Sequence, residues 1–295
     1  MVFLELRRDS RVTTGNSGCL LCWPRQVQSS IRDAKERWGL LSSDCRANRP
    51  HLGLCPEVNQ MGGEVYHDSN LQALIGVFGG NGEWNISQGA KTTILADVYI
   101  GGAVTNELMG FNGVGGSSSK SPWNGGENFA KAYDAFAPAK GILNVENGSF
   151  FTPSNLFVSV VGEGTLQVGS DGVVLAKNVT LSNTVCNVDG VETVSNSTLR
   201  IAFGAGKAGC ITVAEKFTVS NGSRLVLDFS NFVDDGITTM IPLVTYAARE
   251  GFFADEDIEI INNPPAIGAL VKDVSYKGKM GLWYSLSRGT TIFIR

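Results

Sequence analysis

The chain has 295 residues, 43% of them hydrophobic and 18% charged, with a net charge of −4. That length supports a sizeable core, and charge so sparse excludes a disordered acidic or basic tail. A pI near 5.3 gives no electrostatic reason to expect nucleic acid as a partner. No apolar run reaches the ~18 residues of a membrane-spanning helix, so no transmembrane segment is expected. Two histidines, His51 and His67, argue against His-based catalysis and a His-rich metal site. No cofactor is expected.

Residues 1–62 read as an N-terminal extension, disordered or foreign to the native protein. Residues 1–60 hold eight Arg and one Lys, four of the six Cys and only four of the 36 Gly. Met1–Ser10 interrupts its apolar residues with charge almost at once, so no signal peptide is visible. Ser29–Leu41 places Ile31, Ala34, Trp38 and Leu41 at the spacing of one short helix. Cys19 and Cys22 form a C-x-x-C pair, but Cys45 and Cys55 are too far apart to complete a zinc knuckle. No metal site is assigned.

Residues 63–235 carry a repeat, interrupted by an insertion at 101–140. Gly82-Glu-Trp-Asn-Ile86 recurs as Gly141-Ile-Leu-Asn-Val145 and as Gly164-Thr-Leu-Gln-Val168, the last two starting 23 residues apart. Each is followed by a second short segment: Asp97-Val-Tyr-Ile100, Asn155-Leu-Phe-Val158 and Asn178-Val-Thr-Leu181. From the opening glycine to the first apolar residue of that segment is 16, 15 and 15 residues. Looser copies are Ser197-Thr-Leu-Arg-Ile201, Lys216-Phe-Thr-Val219 and Ser223-Arg-Leu-Val-Leu227. Apolar residues alternate with polar ones, as in a strand with one buried face, and Gly, Asn, Ser and Asp fill the corners.

Strands this short cannot each bury an apolar face, but stacked copies can. The expected fold is all-β: a β-solenoid, specifically a right-handed parallel β-helix with rungs about 4.8 Å apart. Trp84/Ile86, Leu143/Val145, Leu166/Val168 and Leu199/Ile201 would form one set of inward columns. Val98/Ile100, Leu156/Val158, Val179/Leu181 and Phe217/Val219 would line another wall. Asn85, Asn144 and Gln167 would form an outward amide ladder. The competing architecture is a β-sandwich, which does not require near-identical rungs. In the insertion, Gly113–Ser119 is loop chemistry and Asn128–Ala139 fits a helical turn or two. Residues 236–295 would form a C-terminal β cap over the open end, with Ser287–Thr290 turning its last hairpin.

These units resemble the autotransporter-associated β-strand repeat of bacterial surface and secreted β-helix proteins. Leu225–Phe229, Ile241–Thr245, Gly281–Leu286 and Thr291–Ile294 are similar to the closing segment of such passenger regions. The resemblance covers roughly Gly82–Arg295 and leaves too few residues after the last rung for a translocator barrel. It implies a non-enzymatic, extracellular or cell-surface protein serving adhesion, display or scaffolding, with a glycan or host-cell-surface ligand as partner.

The alternative is a carbohydrate-active β-helix enzyme, a polysaccharide lyase or hydrolase with its site beside the insertion. That chemistry needs paired carboxylates or a basic side chain. Glu146 aligns with Ser87 and Gly169, and Asp97 aligns with Asn155 and Asn178, so no acid column forms. Asp234-Asp235 reads as a turn and Asp255–Asp257 as a solvated loop. No catalytic residue is assigned. Tyr99 and Phe157 fall at matching outward positions and form the candidate ligand platform, unless the insertion or the extension packs over them. Cys186 and Cys210 fall near one rung, as a disulfide or as two buried thiols. Asn-x-Ser/Thr triplets at Asn85, Asn147, Asn178, Asn196 and Asn221 follow from the composition of the corners.

Overall fold

A computed structural model describes residues 5–6, 57–67, 73–76, 81–101, 140–160, 162–183, 185–188, 191–194, 196–262 and 268–286. The first strands are β1 (Glu5–Leu6), β2 (Glu57–Met61), β3 (Glu64–His67), β4 (Ala73–Ile75), β5 (Asn81–Ser87), β6 (Ala90–Ile94) and β7 (Val98–Ile100). Next come β8 (Lys140–Val145), β9 (Gly148–Val158), β10 (Glu163–Val168), β11 (Val173–Leu181), β12 (Val185–Val188), β13 (Val191–Val194) and β14 (Ser197–Gly204). The last are β15 (Lys207–Ala208), β16 (Cys210–Val219), β17 (Arg224–Asp228), β18 (Met240–Glu250), β19 (Ile258–Ile261), β20 (Gly268–Tyr276) and β21 (Lys279–Leu286).

Two sheets hold nearly all of them. The larger runs β1-β3-β6-β9-β11-β16-β18-β21-β20, with β4 and β7 alongside; the smaller runs β19-β17-β14-β10-β8-β5-β2. A separate hairpin joins β12 to β13. Neighbours in the small sheet's main run pair in parallel throughout. The large sheet is also parallel from β3 to β18. Parallel neighbours need a crossover between them, and here the crossover passes through the other sheet. The antiparallel pairing of a β-sandwich is therefore not the main mode of these sheets.

Register places the expected residues opposite one another. Trp84, Leu143, Leu166 and Leu199 are successive partners, and the series continues to Leu225 and Ile258. Ile86, Val145, Val168, Ile201, Leu227 and Ile260 form the parallel series. On the large sheet, Val98, Leu156, Val179 and Phe217 align, as do Ile100, Val158, Leu181 and Val219. Apart from Ile260, these side chains share one buried cluster, with Ile258 packed against it. A further series lies in the first half of the large-sheet strands: Val65, Thr92, Phe150, Val174, Ile211, Val244 and Leu282. Burying each large apolar side chain contributes about 1.5–3 kcal/mol before entropy is counted.

The ends differ from the middle. Gln60 occupies the position next to Ile86 and is buried, its amide donating to the Lys91 carbonyl at 3.1 Å and accepting from Thr92 at 2.6 Å. At the other end Ile260 is 45% exposed, whereas the earlier members of its series are closed from solvent.

Several boundaries differ from the sequence reading. The small sheet reaches back to β2, inside the segment read as an extension, and β1 pairs antiparallel with β3. Lys140 of β8 partners Asn81 directly, so the ladder closes across the insertion. Strands β18 and β19, within the expected cap, prolong the two parallel sheets. Among the described residues of the expected cap, the β20–β21 hairpin changes direction, pairing antiparallel on β18. It turns at Lys277 and Gly278, whose φ values of 51° and 77° suit a two-residue hairpin turn. The expected turn at Ser287–Thr290, the helical segments at Ser29–Leu41 and Asn128–Ala139, and Cys19, Cys22, Cys45 and Cys55 lie outside the described residues. No helix among the described residues is long and apolar enough to cross a membrane.

Candidate functional site

The candidate platform lies where β7 and β9 run side by side on the large sheet. Parallel register sets Tyr99 opposite Phe157, and their rings stack with centroids 4.8 Å apart and planes 19° from parallel. Tyr99 is only 2% exposed and Phe157 is half-buried. The two residues meet as expected, and the part of the pair that reaches solvent belongs to Phe157.

Beside this pair runs an amide ladder. The Asn155 side chain donates to Asp97 Oδ1 at 2.9 Å, and Asn178 donates to Asn155 Oδ1 at 3.0 Å. Asn178 Oδ1 accepts from the Lys216 backbone at 3.0 Å, which ends the series. Asp97 Oδ1 also accepts from Ser154 Oγ and from the Asn155 backbone. Sequence alignment brought these residues together but gave no sign that they bond. Their polar groups fix the register of neighbouring strands, much as stacked amides do elsewhere.

The expected ladder on the small sheet is displaced by one strand. Asn85 donates to Asn59 Oδ1 at 3.1 Å, and Asn144 donates to Asn85 Oδ1 at 3.0 Å. Gln167 is in register with Asn144, but Asn144 Oδ1 is buried without a hydrogen-bond partner. Arg200, the next residue in that row, turns instead to Asp228 in an ion pair. Of the five glycosylation-type triplets, Asn85 and Asn178 are engaged in ladders, while Asn147, Asn196 and Asn221 are exposed.

Carboxylates serve turns and clamps. Asp234 and Asp235 accept backbone N–H bonds from Gly236, Ile237 and Thr238, and Asp255–Asp257 is an exposed 3-10 turn. Asp273 accepts from Tyr246 Oη and Arg249 Nε, each at 2.7 Å, tying the final hairpin to β18. The Arg249 bond holds the Asp273 carboxyl below its ordinary value, and the phenol of Tyr246 is pushed up by burial and by that carboxylate. Burial pushes Asp228 up, but bonds from Ser230 and Arg200 outweigh it and hold its carboxyl low. Cys210 carries a free thiol, pushed up by burial; the Cys186 side chain lies outside the described ones. Among the described residues no group of three or more His, Cys, Asp or Glu is placed to hold a metal ion.

These depressed carboxyls predict acid sensitivity. Each has a folded pKa below its unfolded one, so its stabilisation is present above the unfolded value, near ~3.9. It is lost as pH falls through the folded value. Denaturant midpoints should therefore drop below about pH 4. Asp273→Asn should cost about 1 kcal/mol at neutral pH, a modest sum for a half-exposed pair, and flatten the acid fall. An unchanged pH profile in that variant would contradict the clamp.

Comparison of the chain with protein families, with curated proteins and with solved structures gave no match.

Proposed function

We propose that the chain is a non-enzymatic β-solenoid, a right-handed parallel β-helix of the passenger-like kind, serving adhesion, display or scaffolding outside the cell or on its surface. The observation that carries this reading is the pair of apolar series running in register across six strands, from Trp84 to Ile258 and from Ile86 to Ile260. A chain that alternates between two parallel sheets, adding a strand to each, follows the path of a coil. Six strands at about 4.8 Å spacing make a stiff wall about 24 Å long, which presents side chains at fixed intervals. That geometry suits holding a surface out to a partner. The extracellular setting rests on the resemblance of the repeat units.

A glycan array combined with product analysis separates this reading from a carbohydrate-active enzyme. Binding without release of sugar fragments is the expected result. Fragment release that stops when one carboxylate becomes an amide would overturn it.

A further inference from the structure

We infer that Thr291–Ile294 adds one antiparallel strand to the open edge of β19 and so guards that edge against a second copy of the chain. Among the described residues β19 pairs with β17 alone, which makes it the last strand of the small sheet. Phe229 N–H donates to the Ile261 carbonyl at 3.0 Å, so Ile261 turns its backbone groups towards β17. Successive residues of a strand turn theirs to opposite sides. Glu259 therefore also faces β17, whereas Ile258 and Ile260 face away from it. The Ile258 N–H donates to the Asp255 carbonyl. The Ile258 carbonyl and both backbone groups of Ile260 are directed at the open side. The side chains of Ile258, half-buried, and Ile260, 45% exposed, end the two inward series of the small sheet. Apolar side chains beside aligned donors and acceptors make such an edge a template for another strand.

Position and pattern name the chain's own segment as the occupant. The end of β21 lies beside the end of β19: the Tyr284 ring is 4.9 Å from that of Phe229, the residue bonded to Ile261. Two residues on, Leu286 N–H donates to the Thr239 carbonyl at 2.9 Å. Residues 287–295 follow, outside the described ones. Four residues, Ser287–Thr290, reach up to about 13 Å, more than the ~10 Å between packed sheets. Beyond them Ile292 and Ile294 have the spacing of Ile260 and Ile258. A strand running back from the Ile261 end sets Ile292 opposite Ile260 and Ile294 opposite Ile258, so each inward series gains one member. In that register Ile260 and Ile292 exchange two hydrogen bonds. Phe293 falls on the outer face opposite Glu259, whose carboxylate is paired with Arg224 at 2.9 Å. A slip of one residue would turn Thr291 and Phe293 inward instead. A segment on so short a tether meets the edge at an effective concentration of order mM, so it displaces a second copy present at less than that.

Amide hydrogen exchange and methyl–methyl nuclear Overhauser contacts in the full chain test this. The Ile260 amide should be protected, and the Ile292 methyls should give cross-peaks to those of Ile260. Ile292→Pro removes the donor to the Ile260 carbonyl and should speed exchange at Ile260 about tenfold. Leu199 and Ile201, deep in the same sheet, should keep their protection and so show that the variant is folded. In sedimentation at high concentration the variant should contain more dimer and larger species than the unaltered chain, because β19 is bared. An unprotected Ile260 amide in the unaltered chain, or a missing Ile292–Ile260 cross-peak, would overturn the added strand without recourse to any variant. Unchanged exchange in Ile292→Pro would do the same. Ile260 protection that rises with protein concentration would assign the edge to a second copy and overturn the proposal. Equal oligomer content in the two proteins would overturn the guarding role.

Discussion

Leu166→Asp is expected to abolish cooperative folding. Leu166 is fully buried between Leu143 on one side and Leu199 on the other, and all three belong to the same apolar cluster. Removing the leucine side chain alone costs about 2–5 kcal/mol. Leaving an uncompensated charge in its place adds about 3–5 kcal/mol. The aspartate would rather take up a proton than stay charged, but an unpaired carboxyl in this column still lacks a donor. The total rivals the ~5–15 kcal/mol that holds a typical domain together. Far-UV circular dichroism and scanning calorimetry would register the loss. Leu175→Asp, at an exposed position of the neighbouring sheet, should cost about 1 kcal/mol or less. A native-like transition in Leu166→Asp would mean that this side chain does not point inward.

Gly141→Ala should be nearly as damaging, although it adds a single methyl group. Gly82, Gly141 and Gly164 are successive partners at the start of the small-sheet strands. There the chain leaving the large sheet passes close by. A Cβ on Gly141 would overlap the Gly101 nitrogen and the Ile75 carbonyl oxygen. On Gly164 it would lie 2.5 Å from the Ile100 oxygen and the Ser159 nitrogen. These are backbone atoms already bonded to one another: Gly101 N–H donates to Ile75 O at 2.8 Å and Ser159 N–H to Ile100 O at 2.7 Å. They cannot swing aside as a flexible side chain would, so the corner itself must open. A cost of about 3 kcal/mol or more follows, at the upper end for overpacking. By contrast, a Cβ on Gly89 meets nothing within 4 Å. The cost of Gly89→Ala is then only the strain of its positive φ, about 1–2 kcal/mol. Equal denaturation midpoints for Gly141→Ala and the unaltered protein would contradict the close approach.

The same corner explains where the repeat drifts. Ser197 takes the place of glycine beside Gly164, and its hydroxyl donates to Ser223 at 2.8 Å, which in turn reaches the Leu181 carbonyl at 3.3 Å. A buried hydroxyl is tolerable there because it has partners. The opening glycines signalled a corner in the sequence, but the reason given, cheap positive φ, was incomplete. Positive φ belongs to Gly76 and Gly101 at the ends of the preceding strands, while Gly141 is required for space.

Legibility followed the period-two pattern. The columns from Trp84 to Leu199 were readable because the third and fifth positions of every copy are apolar and the fourth is polar. The column through Phe150, Val174 and Ile211 was not, since β11 shifts register against its neighbours after Ala176 and the alternation resets within the strand. Ile258 and Ile260 continue the first wall, but they follow an exposed acidic turn that reads as a loop. At the candidate platform, register was legible and exposure was not: strand phase put Tyr99 opposite Phe157, while burial of Tyr99 depends on packing beyond its own strand.

Methyl–methyl nuclear Overhauser contacts in leucine-labelled protein examine the stacking itself. Direct cross-peaks should link Leu143 to Leu166, Leu166 to Leu199 and Leu199 to Leu225, with all four methyl pairs shielded from a soluble paramagnetic probe. Cross-peaks missing from this series, or Leu166 methyls bleached by the probe, would contradict it.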